Sequence, residues 1–428
     1  MRIAITTLGC KINQYDSAVI QSRLEGRHAI VRFEDEADFY IVNACTVTDR
    51  ADWEARQLVR RAKRRSPDAR VLVTGCYAQV SPAEIARVPD VDYVVGLNRM
   101  DDLVRCIEDN GTEKISVGDV QRERGVPVLG ARALPGHTRA FLKIQEGCDY
   151  SCTYCIIPTA RGLSRSVAPQ AILAEIAALA ERGYREIVLT GIHLGGYGRD
   201  LAPRLDLTAL IEMILEKSPV RRLRLSSLDP REVPERLLNL VAASDVLCPH
   251  LHICAQAGDD RILKAMRRNY DTAYYRDIVV RARELLPDAA LGSDIIVGFP
   301  GESEDDFERQ MEYFAALPLT YFHVFPYSVR SGTPAAALSG HVPAAVKKER
   351  AKKLRELGAR KKKSFARSFV GRRLGVLLES RAKNGALTGY SRNYLTVAAN
   401  GGRVNDEVEV AVESFEDGAL VGTVADFA

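Results

Sequence analysis

A chain of 428 residues, 46 % of them hydrophobic, exceeds the usual single-domain size, so two or three separately cored domains are expected. No apolar run approaches the roughly 20 residues that span a bilayer, and the opening MRIAITTLGC lacks the charged, apolar and cleavage regions of a secretory leader, which argues against a membrane protein and for the cytoplasm. The net charge of +4 is unevenly placed, because residues 347–373 hold thirteen Lys/Arg against two Glu, a local +11 on a body of −7, the layout of a basic arm that suits a polyanion.

Residues 1–110 alternate short β-rich apolar runs with polar, helix-like stretches. The runs at 3–8, 39–43, 71–74 and 93–95 read as buried strands and 48–65 as a helix with an Arg-rich face, which makes this segment an open parallel α/β domain. Cys10, Cys45 and Cys76 each lie just past one of these strands, at separations of 35 and 31 residues, the length of a βαβ unit. The carboxyl ends of parallel strands share one edge, so three thiols distant in sequence are expected to converge. The alternative is three ordinary core cysteines that reach strand ends by chance.

Residues 111–137, with scattered Gly, Pro and charge, read as a linker. Between 138 and 345 six strand–helix repeats can be counted, with strands at 140–145, 186–190, 223–226, 250–255, 291–297 and 321–325, which fits an open (β/α)6 barrel. The loops that follow them, EGCDYSCTYC, GIHLGGYG, SLDPRE, QAGDDR, GFPGE and PYSVRSGTP, gather Gly, Cys and polar residues at the face where barrel enzymes place their chemistry. Residues 346–370 read as a basic helical connector. The runs LGVLLES, YLTVAA, VNDEVEVAV and LVGTVADF within 371–428 would make a small antiparallel β-barrel of the oligonucleotide-binding kind.

Nine cysteines in a reducing compartment favour metal or redox chemistry over disulfides, and an odd number cannot pair completely. Cys148, Cys152 and Cys155 form CxxxCxxC in the loop after the first barrel strand. Thiolates suit zinc or iron–sulfur clusters. Structural zinc takes four protein ligands, whereas only three thiols are local here; a 4Fe–4S cube held by three cysteines leaves one iron open to a small-molecule cofactor. A zinc-bound loop and a buried trio of reduced cysteines are the competing readings. Cys106, Cys248 and Cys254 have no partners at metal spacing and are assigned to structure.

EGCDYSCTYC, with Tyr154 before its last cysteine, resembles the cluster loop of the radical S-adenosylmethionine superfamily. TTLGCKINQYDS, VNACTVTDRA and VTGCYAQ resemble the three cysteine segments of the methylthiotransferases, so the likeness covers nearly the whole chain. The resemblance implies two 4Fe–4S clusters, one on Cys10, Cys45 and Cys76 and one on Cys148, Cys152 and Cys155, with S-adenosylmethionine on the open iron of the second. It further implies that one cofactor molecule gives a methyl group to sulfur, while another gives the 5′-deoxyadenosyl radical that removes hydrogen from adenine C2. Cofactor contacts are expected from Tyr154, Gly191, Ser226, Ser227, Asp294 and Gly298, although the glycines could equally be turns; no acid–base residue is assigned. Two departures from the family pattern, Gln256-Ala257-Gly258 for Gln-Ser-Gly and Cys254 for a Ser or Pro, put contacts from the fourth strand in doubt.

The string Thr7-Leu8-Gly9-Cys10-Lys11-Ile12-Asn13-Gln14 resembles the threonylcarbamoyladenosine tRNA enzymes; the isopentenyladenosine enzymes more often carry Gln-Met after the cysteine, and the ribosomal-protein enzymes Lys-Asn two positions later. The alternatives are the same chemistry on isopentenyladenosine or on a ribosomal-protein aspartate, and a non-catalytic, zinc-containing RNA-binding protein. GYSRNYLTV at 389–397 resembles the turn of the TRAM RNA-binding domain, with Tyr390, Arg392 and Tyr394 offering a cation beside stacking faces and Lys361, Lys362 and Lys363 offering phosphate contacts. The implied partners are a tRNA anticodon loop and an electron donor such as a flavodoxin or ferredoxin.

Overall fold

In the computed structural model, residues 1–109, 113–126, 138–382 and 385–425 are described. The first body is a parallel sheet of β1 (Arg2–Thr7), β2 (Ala29–Val31), β3 (Phe39–Ala44), β4 (Arg70–Gly75), β5 (Tyr93–Val95) and β6 (Ile115–Ser116), ordered β2-β1-β3-β4-β5-β6. β3 is buried at every position, as a strand covered on both faces must be. Alternate residues serve two cores: Ile3, Phe39, Ile41 and Leu72 meet Ile20, Leu24, Leu103 and Ile107, while Ala4, Tyr40, Val42 and Val73 meet Ala55, Val59 and Ala62 of the helix Asp49–Arg65. β2 and β6 were not anticipated; β6, two residues long, shows no periodicity. β6 falls in the expected linker, whose first part therefore completes the sheet; residues 110–112 and 127–137 of that linker lie outside the described residues.

The second body is built from β7 (Arg139–Glu146), β8 (Arg165–Ser166), β9 (Glu186–Gly191), β10 (Arg222–Leu225), β11 (Ser227–Leu228), β12 (His250–Ile253), β13 (Ala290–Val297) and β14 (Tyr321–Pro326). They form the orders β10-β9-β7-β8 and β11-β12-β13-β14, with β10 and β11 flanking a break at Ser226. Apart from the small antiparallel strand β8, and with β10 and β11 taken together as the strand expected at 223–226, these are the six expected parallel strands, and no pairing of β14 with β7 closes them among the described residues. One face packs its helices through Leu142, Ile144, Ile187, Leu189, Leu223, Leu251 and Leu291. The concave face differs from the branched aliphatic filling of a closed barrel: it carries Lys143, Glu186, Arg224, His250, His252, Asp294 and His323, linked by contacts across strands.

The helix Ala344–Arg367 runs on to β15 (Arg373–Arg381), β16 (Leu387–Ser391), β17 (Thr396–Asn400), β18 (Glu407–Glu416) and β19 (Ala419–Val424), a closed barrel ordered β15-β16-β17-β19-β18. β16 occupies part of the expected turn, and β17 with β19 forms a parallel pair among otherwise antiparallel ones. This small barrel seals the N-terminal ends of the second body's strands. Arg222 donates to Tyr390 O at 3.2 Å, Arg224 to Arg392 O at 2.9 Å, and Asn393 Nδ2 to Asp288 O at 3.0 Å. No described helix is long and apolar enough to cross a membrane.

Glu186, fully enclosed, accepts from Arg222 Nε at 3.0 Å and from Arg224 Nε and Nη2 at 2.6 and 2.9 Å. Burial alone would push this carboxyl up, but Arg224, Arg222 and Arg139 outweigh it and hold it at about 2, against an ordinary 4.5. Glu186→Gln leaves two buried guanidinium groups short of their shared counter-charge and is expected to destabilise by about 3 kcal/mol in urea unfolding. In the wild type this contribution is complete above the unfolded value near 4.5 and disappears as the pH falls toward 2; the variant is expected to lack that component of its acid sensitivity.

Candidate cluster and cofactor site

The first thiol trio stands at the carboxyl edge of the parallel sheet. Cys10 occupies the N-cap of the helix Lys11–Leu24, Cys45 follows β3, and Cys76 opens a short helix after β4. Gly9 holds φ +107°, and a Cβ there would lie 2.6 Å from Cys45 Cβ and 3.1 Å from its Sγ, so only glycine lets the first loop close over the second. Cys10 and Cys76 both reach Asn13 Oδ1, at 4.0 and 3.8 Å. Burial raises the thiol of Cys45 and pushes that of Cys76 up to about 12, with Arg161 opposing it. The convergence expected from strand spacing is therefore present.

The second trio lies in the loop after β7. Cys148 Sγ accepts from Tyr150 N at 3.4 Å and Cys152 Sγ from Arg268 at 2.9 Å, while Asp229 in turn holds Arg268. Burial pushes Cys155 up to about 12. His193 lies beside Cys148, with its Nε2 2.8 Å from Glu232 Oε1; burial opposes its charge, but Cys148 and Glu232 lift it to about 9. All nine cysteines are free thiols. Among the described residues, the set of three ligand atoms that all fall within 4.8 Å of one another is His252, Cys254 and Asp294. Neither trio is thus drawn together as a tetrahedral zinc with roughly 2.3 Å bonds to sulfur would draw it. Three thiols, wider spacing and a cation on one sulfur of each trio fit a cubane better than a single metal ion.

A cavity of about 200 Å³ is lined by Val47 and Thr48, just beyond Cys45, and by Tyr154, Cys155, Gln256, Asp294 and Phe325 of the barrel. Tyr154 packs against the barrel core, with Cys152 and Cys155 among its electrostatic neighbours. The hydroxyl of Ser226 is buried without a partner, the kind of orphan that a cofactor hydroxyl would satisfy. Ser227 is exposed and points to the other side, since successive strand residues alternate. Gly191 packs so closely that a Cβ would meet Gln145 at 3.0 Å, and Gly298 holds φ +71°. Asp294 accepts from His252 at 2.9 Å and pairs with His323 at 3.1 Å; burial opposes its charge, but the imidazoles keep it below the ordinary carboxylate range. Cys254, assigned to structure from its spacing, instead places Sγ 3.5 Å from Asp294 Oδ2; it is the i+2 neighbour of His252 and so shares the concave face.

Three charged residues at these centres escaped the sequence reading. Arg161, six residues past Cys155, donates Nε to Cys76 Sγ at 3.2 Å; Arg268 and His193 do the corresponding work at Cys152 and Cys148. The one available signal was the nearness of Arg161 to the CxxxCxxC motif. The residues expected to face RNA divide. Lys362 and Lys363 are exposed, but Lys361 donates to Ala315 O and Leu317 O, closing the carbonyl end of a neighbouring helix. Arg392 is bonded to Glu407 at 2.8 Å and to the carbonyls of Asp245 and Val246, and Tyr390 stacks on Tyr394 beneath Arg139. These three hold the small barrel to the larger one rather than presenting a free stacking surface.

Arg268→Gln would remove the positive charge at Cys152 that favours an added electron. The expected outcome is a more negative midpoint potential for the barrel cluster in a titration followed by electron paramagnetic resonance; an unchanged or higher potential would count against this contact.

Residues 2–96 match Uncharacterized protein family UPF0004, and residues 142–314 match the Radical SAM superfamily. The chain is 38 % identical over 405 residues to the threonylcarbamoyladenosine tRNA methylthiotransferase MtaB of Aquifex aeolicus, covering 94 % of this chain and 97 % of the relative. It is 39 % identical over 407 residues to MtaB of Bacillus subtilis, covering 93 % and 90 %. The solved radical S-adenosylmethionine methyltransferase TsrM from Kitasatospora setae, with cobalamin and a [4Fe-4S] cluster bound, shares the fold at TM-score 0.56 and 16 % identity, covering 78 % of this chain and 77 % of that one. With relatives matched along nearly their whole length and both of its thiol trios assembled, the chain belongs to the methylthiotransferases of the radical S-adenosylmethionine superfamily.

Proposed function

We propose that this chain is a tRNA methylthiotransferase that converts N6-threonylcarbamoyladenosine next to the anticodon to its 2-methylthio derivative. The observation that carries the reading is that the segments beyond Cys45 and around Cys155 line one cavity, while Arg161, six residues past Cys155, donates to Cys76 of the other trio. A substrate base held in that cavity would have both segments beside it, as a transfer of sulfur to a position activated elsewhere requires. The relatives named for threonylcarbamoyladenosine supply the substrate.

On this reading Cys10, Cys45 and Cys76 hold one 4Fe–4S cluster, and Cys148, Cys152 and Cys155 hold a second together with S-adenosylmethionine. When bound, these groups supply the electron, the 5′-deoxyadenosyl radical, the methyl group and the sulfur. The chain's own residues orient and shield. Ser226, Asp294 and Gly191 line the cofactor's place, Tyr154 closes the space behind Cys152 and Cys155, and Arg161 and Arg268 offset the charge of the thiolates. The divisions 1–110, 111–137, 138–345, 346–370 and 371–428 then correspond to the sulfur-bearing unit, a connecting segment whose β6 extends that unit's sheet, the radical-forming barrel, a basic connector and an RNA-binding barrel. An electron donor such as a flavodoxin or ferredoxin and a cytoplasmic setting belong to the same reading.

Lys362→Glu with Lys363→Glu is expected to weaken tRNA binding and to flatten its dependence on salt, since each lost phosphate contact removes about one unit from the log–log slope; an unaltered slope would take these lysines off the RNA path. The direct test is nucleoside mass spectrometry of tRNA from a host lacking such an enzyme. Expression of this chain is expected to give 2-methylthio-threonylcarbamoyladenosine, and the Cys10→Ala variant none. A methylthio mark on isopentenyladenosine would overturn the substrate, and no new nucleoside would overturn the activity.

A further inference from the structure

The Arg-rich face expected on the helix Asp49–Arg65 is present, and no role assigned above uses it. Ala55, Val59 and Ala62 bury the opposite side against the sheet. At 3.6 residues per turn, Trp53, Arg60 and Arg64 fall within about 40° of one another around the helix axis, with Arg61 beside them. All four are exposed, Trp53 by 55 %, and Trp53 is the single tryptophan of the chain.

The other cations of this helix are answered within the protein. Arg50 pairs with Glu54, Arg56 with Glu84 and Lys63 with Asp92, while Arg65 donates to Phe33 O. Arg60, Arg61 and Arg64 have no carboxylate or carbonyl partner among the described residues, and the helix's own Asp49 and Asp52 are taken by Arg330. Asp49 N also donates to Ser328 Oγ at 3.0 Å, and Ser328, Arg330 and the N-cap Thr48 all line the 200 Å³ cavity. The exposed stripe therefore begins at the cavity's rim and runs about 16 Å from Trp53 to Arg64, at 1.5 Å per residue. Tyr390, Arg392 and Tyr394 are occupied in holding the two barrels together, whereas Trp53 leaves an indole face free, with unpaired guanidinium groups in line behind it. An aromatic face followed by a cationic track is the arrangement that holds unpaired nucleotides.

Resting on the tRNA substrate proposed above, we infer that the exposed face of the helix Asp49–Arg65 is an RNA-binding surface of the N-terminal body. Trp53 stacks on an unpaired nucleotide of the anticodon loop next to the target base, and Arg60, Arg61 and Arg64 take backbone phosphates farther along. An acidic protein or an anionic membrane would also meet the arginines, but neither accounts for an indole at the end of the stripe that adjoins the cavity. The segment that follows Cys45 thus grips the RNA whose base enters beside it.

The test uses reconstituted holoenzyme and a purified tRNA carrying threonylcarbamoyladenosine. Tryptophan emission reports Trp53 alone and is expected to be quenched as the tRNA saturates, a readout that needs no variant. Arg60→Glu combined with Arg61→Glu and Arg64→Glu is expected to weaken tRNA binding at least about 10-fold and to lower the log–log salt slope by about two to three units, raising KM with kcat kept. Trp53→Ala is expected to cost about 10-fold in affinity at an unchanged slope, because stacking releases no counterions, and Trp53→Phe to recover most of it. Unquenched emission at saturation, or a triple variant with wild-type affinity and slope, overturns the inference while the tRNA reading stands. A wild type that neither binds nor modifies the tRNA overturns both.

Discussion

Arg161, 1 % exposed, donates at once to two separately folded bodies. Its Nε meets Cys76 at 3.2 Å, Nη2 meets Asn13 Oδ1 at 2.6 Å and Asp16 at 3.0 Å, and Nη1 meets Glu146 of β7 at 2.8 Å. Lys143 bridges the same two carboxylates, Asp16 at 2.8 Å and Glu146 at 2.7 Å. Two cations thus face two carboxylates across the seam. Burying four charges is costly, and an apolar seam of equal size would bind at least as tightly. An apolar seam would also slide, whereas directional bonds to a fixed guanidinium set distance and angle together. Chemistry that needs two centres at one atom needs that register more than it needs affinity.

The same logic governs the other end of the barrel. A concave face lined with Glu186, Arg222 and Arg224 cannot be left to an apolar plug, so the C-terminal barrel meets it with backbone carbonyls and Glu407. Tyr394 takes the guanidinium of Arg224 over its ring at 4.8 Å, a contact that strengthens where water is excluded. The three bodies therefore share one polar interior, walled by the N-terminal helix on one side and floored by the small barrel. A polar reaction chamber inside a (β/α) scaffold is stable because other parts of the chain complete its hydrogen bonds.

How far this was legible depended on whether a feature's partners were near in sequence. The buried strands and the convergence of Cys10, Cys45 and Cys76 could be read because an apolar run and a βαβ length are local quantities. The CxxxCxxC loop was legible for the same reason. Arg392 was misread because its partners, Glu407 and the carbonyls of Asp245 and Val246, are distant, and an arginine between two tyrosines looks the same whether it faces RNA or a neighbouring barrel. Cys254 was assigned to structure from its spacing along the chain, a quantity that could not show Asp294 beside it on the adjoining strand. Apart from its nearness to the CxxxCxxC motif, nothing distinguishes Arg161 from a surface arginine; its burial is decided by the N-terminal body that closes over it.

Each thiol trio is burdened by its own enclosure and relieved from outside its own segment. Burial pushes Cys76 and Cys155 up to about 12, so ionisation to the thiolates that bind metal is opposed where the fold needs it. Arg161 offsets that opposition at Cys76, and Arg268, far along the chain, at Cys152. For the N-terminal trio the relieving charge belongs to the barrel, in the very segment that carries the barrel's own cysteines. An isolated N-terminal unit would keep three converging thiols but lose the cation that makes their ionised form tolerable. The first centre is therefore electrostatically incomplete until the second body has folded against it, which makes the pair of centres, rather than either alone, the unit that this sequence specifies.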